Sequence, residues 1–407
     1  MQKGITGGYR LSPQQRRLWL LRQSEQMPPY RAQSAVLIEG ALDREVLRDA
    51  LEMVISRHES LRTRLEGIAG MKAPLQVIEE ECRLSWEEID IRGRADCEQE
   101  AEIEQLMERG RRGVGADEGV RATILRLRET RHVMVVGVDG LCADEGSLKR
   151  LTKELCSCYE ARLRNEPLSD QPLQYTIASE WLNELLDSSN TDVGRDYWRK
   201  QDISSISALS LPFEEKAPSS GEFNPRTFDT IIDEGTTVGL ENLAHTYETD
   251  LFVVLLACWV TLIYRLDGKP KVVVGAGSDG RIDEDLETIL GVLARYIPIV
   301  CQLEDNLKFS QCMRQIVELI REASKWQECF IWKDVEGSAD PGEKQSFFPS
   351  SFDYERESVG HPVGDITFST YKCRSYIDLF KVNLSCYHRN DLVIARFQYD
   401  ASFISKD

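Results

Sequence analysis

Histidine is scarce in this chain: His58, His132, His245, His361 and His388 are the only five among 407 residues. No two share a metal-ligand spacing, so a histidine-built metal centre is excluded, and imidazole catalysis is restricted from the outset. Cysteine is present eleven times but never as CxxC, and the closest pair, Cys156-Ser157-Cys158, has no partner motif to complete a zinc site. No metal is therefore expected. Cys258 in "LLACWV" and Cys301 in "PIVCQL" lie inside apolar runs, where a free thiol acts as a small hydrophobe. The pattern points to a reducing, cytoplasmic setting. The opening "MQKGITGGYRLS" lacks the apolar core of a signal peptide, and the longest apolar run, "LFVVLLACWVTLIY" from Leu251, has 14 residues, too few to span a bilayer. Positive charge is also in deficit. A net charge of −18 argues against nucleic-acid or anionic-membrane partners, both of which require a basic face.

What is present is an ordinary globular composition, 42% hydrophobic and 29% charged, in a chain long enough for two cores. Leu42, Val46, Leu47, Leu51, Val54, Ile55 and His58 recur at helical spacing, with Asp43 placed as N-cap. "APLQVI" and "HVMVVGV" read as strands, and an acid-rich amphipathic helix is expected over Asp96 to Arg112. The polar "SSNTDVG" from Ser188 is the best boundary, dividing the chain into 1–187 and 188–407. Beyond it, a buried helix, the strand and glycine loop "PKVVVGAGSDG", and the strands "ARYIPIVCQL", "YIDLFKVNLSCYHRN" and "LVIARFQYD" form a second α/β unit. No short-period repeat is evident.

Gly275, Gly277 and Gly280 match GxGxxG after a strand, the pattern of a dinucleotide site. Asp283, Glu284 and Asp285 follow where phosphates would sit and would repel them, so a tight loop is the better explanation. "VMVVGVDGLCADEGSL" (Val133 to Leu148) looks most like an active site. Asp139 and Asp144 could act as a carboxylate pair, or one could staple the loop through an arginine. Cys142 could be a nucleophile, though no histidine lies nearby in sequence. On residues alone the function stays open.

Several stretches taken together resemble the condensation-domain superfamily of nonribosomal peptide synthetases. "YRLSPQQRRLWLL" (Tyr9 to Leu21) resembles its S-x-x-Q-x-R-x-W opening, and "RHESLRTRL" (Arg57 to Leu65) its R-H-E-x-L-R-T motif. "QYTIASEWLNELL", "DYWRKQ" and "SDGRIDEDLETILGVLARYIPI" resemble later landmarks in the same order. The resemblance implies an α/β fold of two chloramphenicol-acetyltransferase-like lobes in a V around a central tunnel. It also sets the register of the family's HHxxxDG motif. With Asp144 as the aspartate, Ser147 and the helix "KRLTKEL" follow correctly; anchoring on Asp139-Gly140 would put Met134-Val135 at the histidines.

In that register Asp139 replaces the first histidine, Gly140 the second (the usual catalytic one), and Glu145 the glycine. The resemblance implies a structural salt bridge between Asp144 and Arg62. It also implies tunnel positions for Cys142, Arg295 and Tyr296, with Arg295 a cation available to a carboxylate or phosphate. The activity implied is that of an atypical condensation-type acyltransferase, weak or altered, in which Asp139 compensates for the lost imidazole. Two alternatives stand beside it. Asp139, Asp144 and Ser147 fit the DxxxxDxxS pattern of heterocyclization domains, and an inactive platform could recruit a tailoring enzyme. Implied partners are carrier proteins, whose phosphopantetheine arms bring the substrate, and neighbouring synthetase domains; no cofactor is expected to bind directly. The chain stops soon after "RFQYDASFISKD", before the helix the family carries there, so a piece of a larger synthetase is expected.

Overall fold

Local sequence signals start and stop the main helices. The Asp43 carboxylate accepts the N–H groups of Glu45 and Val46 at 3.1 Å each, opening the helix Arg44–Arg57. That helix buries Leu47, Ala50, Leu51, Val54 and Ile55, one stripe at three- and four-residue spacing. Asp250 caps Leu251–Asp267 in the same way, and Gly268 closes it in the left-handed region at φ 71°, which glycine adopts without strain. The run from Leu251 is the central helix of a core. No single described helix is long and apolar enough to cross a membrane. The acid-rich helix expected over Asp96 to Arg112 runs from Asp96 to Gly110.

The computed structural model describes residues 8–404 except 82, 114–118, 169–170, 204–205, 207–208, 215–221, 337–342 and 357–359. In chain order the strands are β1 (Tyr9–Arg10), β2 (Arg31–Glu39), β3 (Thr63–Glu66), β4 (Leu75–Ile78), β5 (Leu84–Asp90), β6 (Val120–Arg128) and β7 (Arg131–Asp139). They continue with β8 (Pro225–Ile232), β9 (Lys271–Ser278), β10 (Arg295–Gln302), β11 (Ser350–Arg356), β12 (His361–Val363), β13 (Ile366–Arg374), β14 (Val382–Arg389) and β15 (Leu392–Asp400). Two six-stranded sheets result, ordered β12-β13-β2-β7-β6-β5 and β10-β9-β11-β14-β15-β8, besides a small sheet β1-β4-β3. Each large sheet packs helices on a core of its own. Fully burying one of the Leu, Val or Ile side chains there contributes about 1.5–3 kcal/mol. The architecture is two chloramphenicol-acetyltransferase-like lobes with mixed sheets.

The division at residue 188 needs correction in one respect. β12 and β13 lie in the second half of the sequence yet extend the first sheet, where Phe368 and Ile366 join its core. The polar stretch from Ser188 is itself structured. Ser189–Thr191 is a 3₁₀ turn and Asp192–Arg199 a helix. Trp198 anchors that helix, fully buried with its indole N–H donating to the Trp326 carbonyl at 2.7 Å. A cross-chain anchor outweighs the local preference of a Ser/Asn/Asp run for a loop.

Candidate functional site

The loop Asp139–Ser147 joins β7 to the helix Glu145–Arg164. Asp139 Oδ1 accepts the Leu141 N–H at 2.7 Å, its backbone carbonyl accepts the Cys142 N–H at 2.8 Å, and Arg22 Nη2 pairs with the carboxylate at 3.0 Å. The acid is thus a loop staple. Gly140 donates its N–H to the Tyr30 carbonyl, and a Cβ on it would sit 2.7 Å from that oxygen. The backbone here leaves no space for a side chain at position 140. Cys142 is buried beneath the loop, and burial, with the Asp139 charge nearby, pushes its thiol far above the usual range. A thiol so held stays protonated and is no nucleophile. Gln15, from the opening motif, donates to the Leu141 carbonyl at 2.9 Å and fixes the loop from the other side.

Asp144 is fully buried, and its partner is Arg281, which replaces the expected Arg62. Oδ1 accepts from Ser147 N (2.8 Å), Ser147 Oγ (2.7 Å) and Arg281 Nη2 (2.9 Å). Oδ2 accepts from Arg281 Nη1 (3.1 Å) and from the Leu293 and Ala294 N–H groups (2.8 and 2.9 Å). Burial alone would raise this carboxyl, but the Arg281 guanidinium and the other donors hold it below the ordinary range. Ser147 is equally committed: its one hydroxyl proton is shared between Asp144 Oδ1 and the Gly291 carbonyl, each at 2.7 Å, and its oxygen accepts the Gly291 N–H at 2.9 Å. Asp144 and Ser147 therefore clamp the first lobe to the "SDGR…LGVLA" segment of the second. Arg62 instead donates to the carbonyls of Ile55, Ser56 and Glu79, tying a helix end to the chain after β4. Both arginines sit in recognisable motifs, and only the fold shows which one crosses to Asp144.

Between the lobes lies a cavity of about 410 Å³. From the first lobe the helix Glu145–Arg164 offers Glu145 and Lys149; from the second come Tyr296, Asp353, Glu355 and Gln398. Lys149 bridges the lobes, pairing with Glu145 at 2.9 Å and with Glu355. Asp353 Oδ2 accepts from Tyr296 Oη (2.8 Å), Asn383 Nδ2 (3.0 Å) and Ser385 Oγ (3.4 Å). Burial pushes the Asp353 carboxyl up to about 6, with Glu145 adding to the rise and the three donors opposing it. Gly277 explains part of the GxGxxG pattern: a Cβ there would lie 2.0 Å from Asp353 Oδ1, so the glycine makes room for a carboxylate.

Of the expected tunnel residues, Tyr296 lines this cavity, while Cys142 and Arg295 do not. Arg295 is buried away from it and donates to the Gln327 carbonyl at 3.2 Å. Neighbours on a strand point to opposite faces, so Arg295 and Tyr296 cannot both face the same space. Asp139, Gly140, Asp144 and Ser147 are also absent from the lining, and so are all five histidines. Sequence reasoning missed Asp353 and Asn383. Their signal was a polar residue inside an apolar strand, in "SSFDYER" and "KVNLSCY". Among the described residues no group of three His, Cys, Asp or Glu could hold a metal ion.

Comparison with known proteins agrees with this architecture. Residues 5–399 match the family model described as the condensation domain. Chondramide synthase cmdD of Chondromyces crocatus is 30% identical over 332 residues, covering 80% of this chain but only 8% of that protein. The first condensation domain of the CDA synthetase superposes with a TM-score of 0.81 at 16% identity, covering 98% of this chain and 92% of that one. The X-domain in its complex with OxyB from teicoplanin biosynthesis gives a TM-score of 0.78 at 22% identity, covering 100% and 91%.

Proposed function

Since the chain belongs to the condensation-domain family, we propose that it handles aminoacyl or peptidyl thioesters tethered to the phosphopantetheine arms of carrier proteins, as an atypical acyltransferase that works without histidine. The observation that carries this reading is Gly140, pressed against the Tyr30 carbonyl at the position of the usual imidazole. With no base on the loop, rate must come from holding the amine and the thioester carbonyl in line, which alone can supply a large part of an acceleration. The missing general base accounts for a deficit of about 10²–10⁴-fold. Against heterocyclization through Asp139, Asp144 and Ser147 stand their existing partners: Asp139 is stapled to Arg22, and the other two are sequestered with Arg281.

The same glycine favours one further reading, a platform that binds a loaded carrier and recruits a tailoring enzyme. The fold likeness to an X-domain captured with OxyB supports it. Intact-protein mass spectrometry of donor and acceptor carriers, each loaded with an aminoacyl group, separates the two. Transfer onto the acceptor above the rate without this domain supports the acyltransferase, and loss of a further water would indicate cyclisation. Binding of loaded carrier with no transfer supports the platform.

A further inference from the structure

The inter-lobe cavity contains a carboxylate, Asp353, to which the described residues supply no cationic partner. Several charged groups in its wall do have an ionic partner: Lys149 bridges Glu145 and Glu355, Arg374 pairs with Glu104 at 2.7 Å, and Asp378 with Arg17 at 2.7 Å. Asp353 has no salt bridge among the described residues. Its three hydrogen bonds all fall on Oδ2, leaving Oδ1 beside Gly277 at the cavity wall. The donors that fix Oδ2 come from β10 and β14, on either side of β11 with β9, and Asn383 is itself held by Gln398 Oε1 at 2.8 Å. Such a network locks the carboxylate plane and leaves one oxygen for a visitor.

We propose that Asp353 binds the ammonium of a carrier-borne aminoacyl group in this cavity, with Oδ1 as the acceptor. This rests on the reading of the chain as a domain acting on tethered thioesters, and it supplies what the motif loop lacks, a fixed point for the amine. A primary ammonium has the matching chemistry: three donors and one positive charge. The raised pKa of Asp353 is what a buried acid without a cationic partner shows, and an arriving cation would lower it.

The test uses two unreactive probes, the alanyl amide of aminopantetheine and its propionyl counterpart, which differ only in the amino group. Ligand-observed NMR on the whole chain gives both affinities for wild type, Asp353→Asn and Tyr296→Phe, with melting curves as the fold control. The expected result is at least a ten-fold preference for the alanyl probe in wild type. Asp353→Asn abolishes that preference with the propionyl affinity unchanged, and Tyr296→Phe reduces it. Tyr296→Phe keeps the test valid even where Asp353→Asn fails to fold. Equal binding of both probes to wild type, or a preference that survives Asp353→Asn, overturns the assignment while leaving carrier dependence standing. Failure of both probes and of loaded carrier to bind overturns the broader reading, and the assignment with it.

Discussion

Replacing Asp144 by alanine removes the acceptor of six hydrogen bonds from a site with no solvent access. The Arg281 guanidinium, whose side chain is 0% exposed, is then left as a buried charge with Asp279, the Ser147 hydroxyl and backbone carbonyls beside it. Breaking a buried pair from one side costs about 3–5 kcal/mol, much of it the stranded charge. The orphaned Leu293 and Ala294 N–H groups push the total toward the upper end. Arg62→Ala, by contrast, deletes three hydrogen bonds to carbonyls and strands no charge, a loss of about 1–2 kcal/mol. Urea unfolding followed by tryptophan fluorescence compares the two, and Asp144→Ala is expected to lower the midpoint at least twice as far. In Asp144→Leu/Arg281→Met, apolar side chains replace both charges, and part of the loss should return. An Arg62→Ala midpoint shift equal to that of Asp144→Ala, or a double variant worse than the sum of its singles, would refute the assignment of Asp144 to Arg281.

Other predictions follow from the same contacts. The Asp353 carboxyl is raised to about 6, so the folded state holds its proton more tightly than the unfolded chain, and wild-type stability should fall as pH rises from about 4 through 6. That loss, about 1–3 kcal/mol by pH 7, is expected to vanish in Asp353→Asn, whose stability relative to wild type should grow over the same window in paired urea titrations at pH 4 and pH 7. Gly140→His restores the motif letter but sets a Cβ 2.7 Å from the Tyr30 carbonyl; it should destabilise the fold by about 1–3 kcal/mol without raising the transfer rate. A faster variant in a single-turnover assay would show that the loop still shapes a catalytic site. Iodoacetamide on the folded protein should modify the exposed Cys97 and leave Cys142 untouched, as peptide mass spectrometry would show. Early alkylation of Cys142 would return it to consideration as a nucleophile.

The parts of this molecule that were legible in the sequence are those with local causes. Asp43 announces a helix because an N-cap acts within three residues, and the buried helix from Leu251 shows in its own hydrophobicity. Asp144 likewise caps the helix that follows it, a local cause of the same kind. Choosing between Arg62 and Arg281 was not, because the contact spans 137 residues and both arginines stand in plausible motifs. Nor could the sequence say which sheet β13 would join: a strand's periodicity tells which face is buried, not against whom. The candidate site shows both limits. Glu145 could be read as a change in the motif, whereas its meeting with Lys149 and Glu355 depends on the closure of two lobes. Asp353 shows its role only when Tyr296, Asn383 and Gly277 from three other strands surround it.

The central claim is that the Asp139–Ser147 loop is architecture and that any chemistry lies in the cavity beyond it. The most direct test is single-turnover transfer between loaded carriers, read by intact mass spectrometry, for wild type and Asp139→Ala at matched folded concentration. The account predicts slow transfer above background in wild type and, per folded molecule, the same rate in the variant. Transfer that drops ten-fold or more in Asp139→Ala with the melting curve unchanged would contradict it and restore that aspartate as the substitute for the missing histidine.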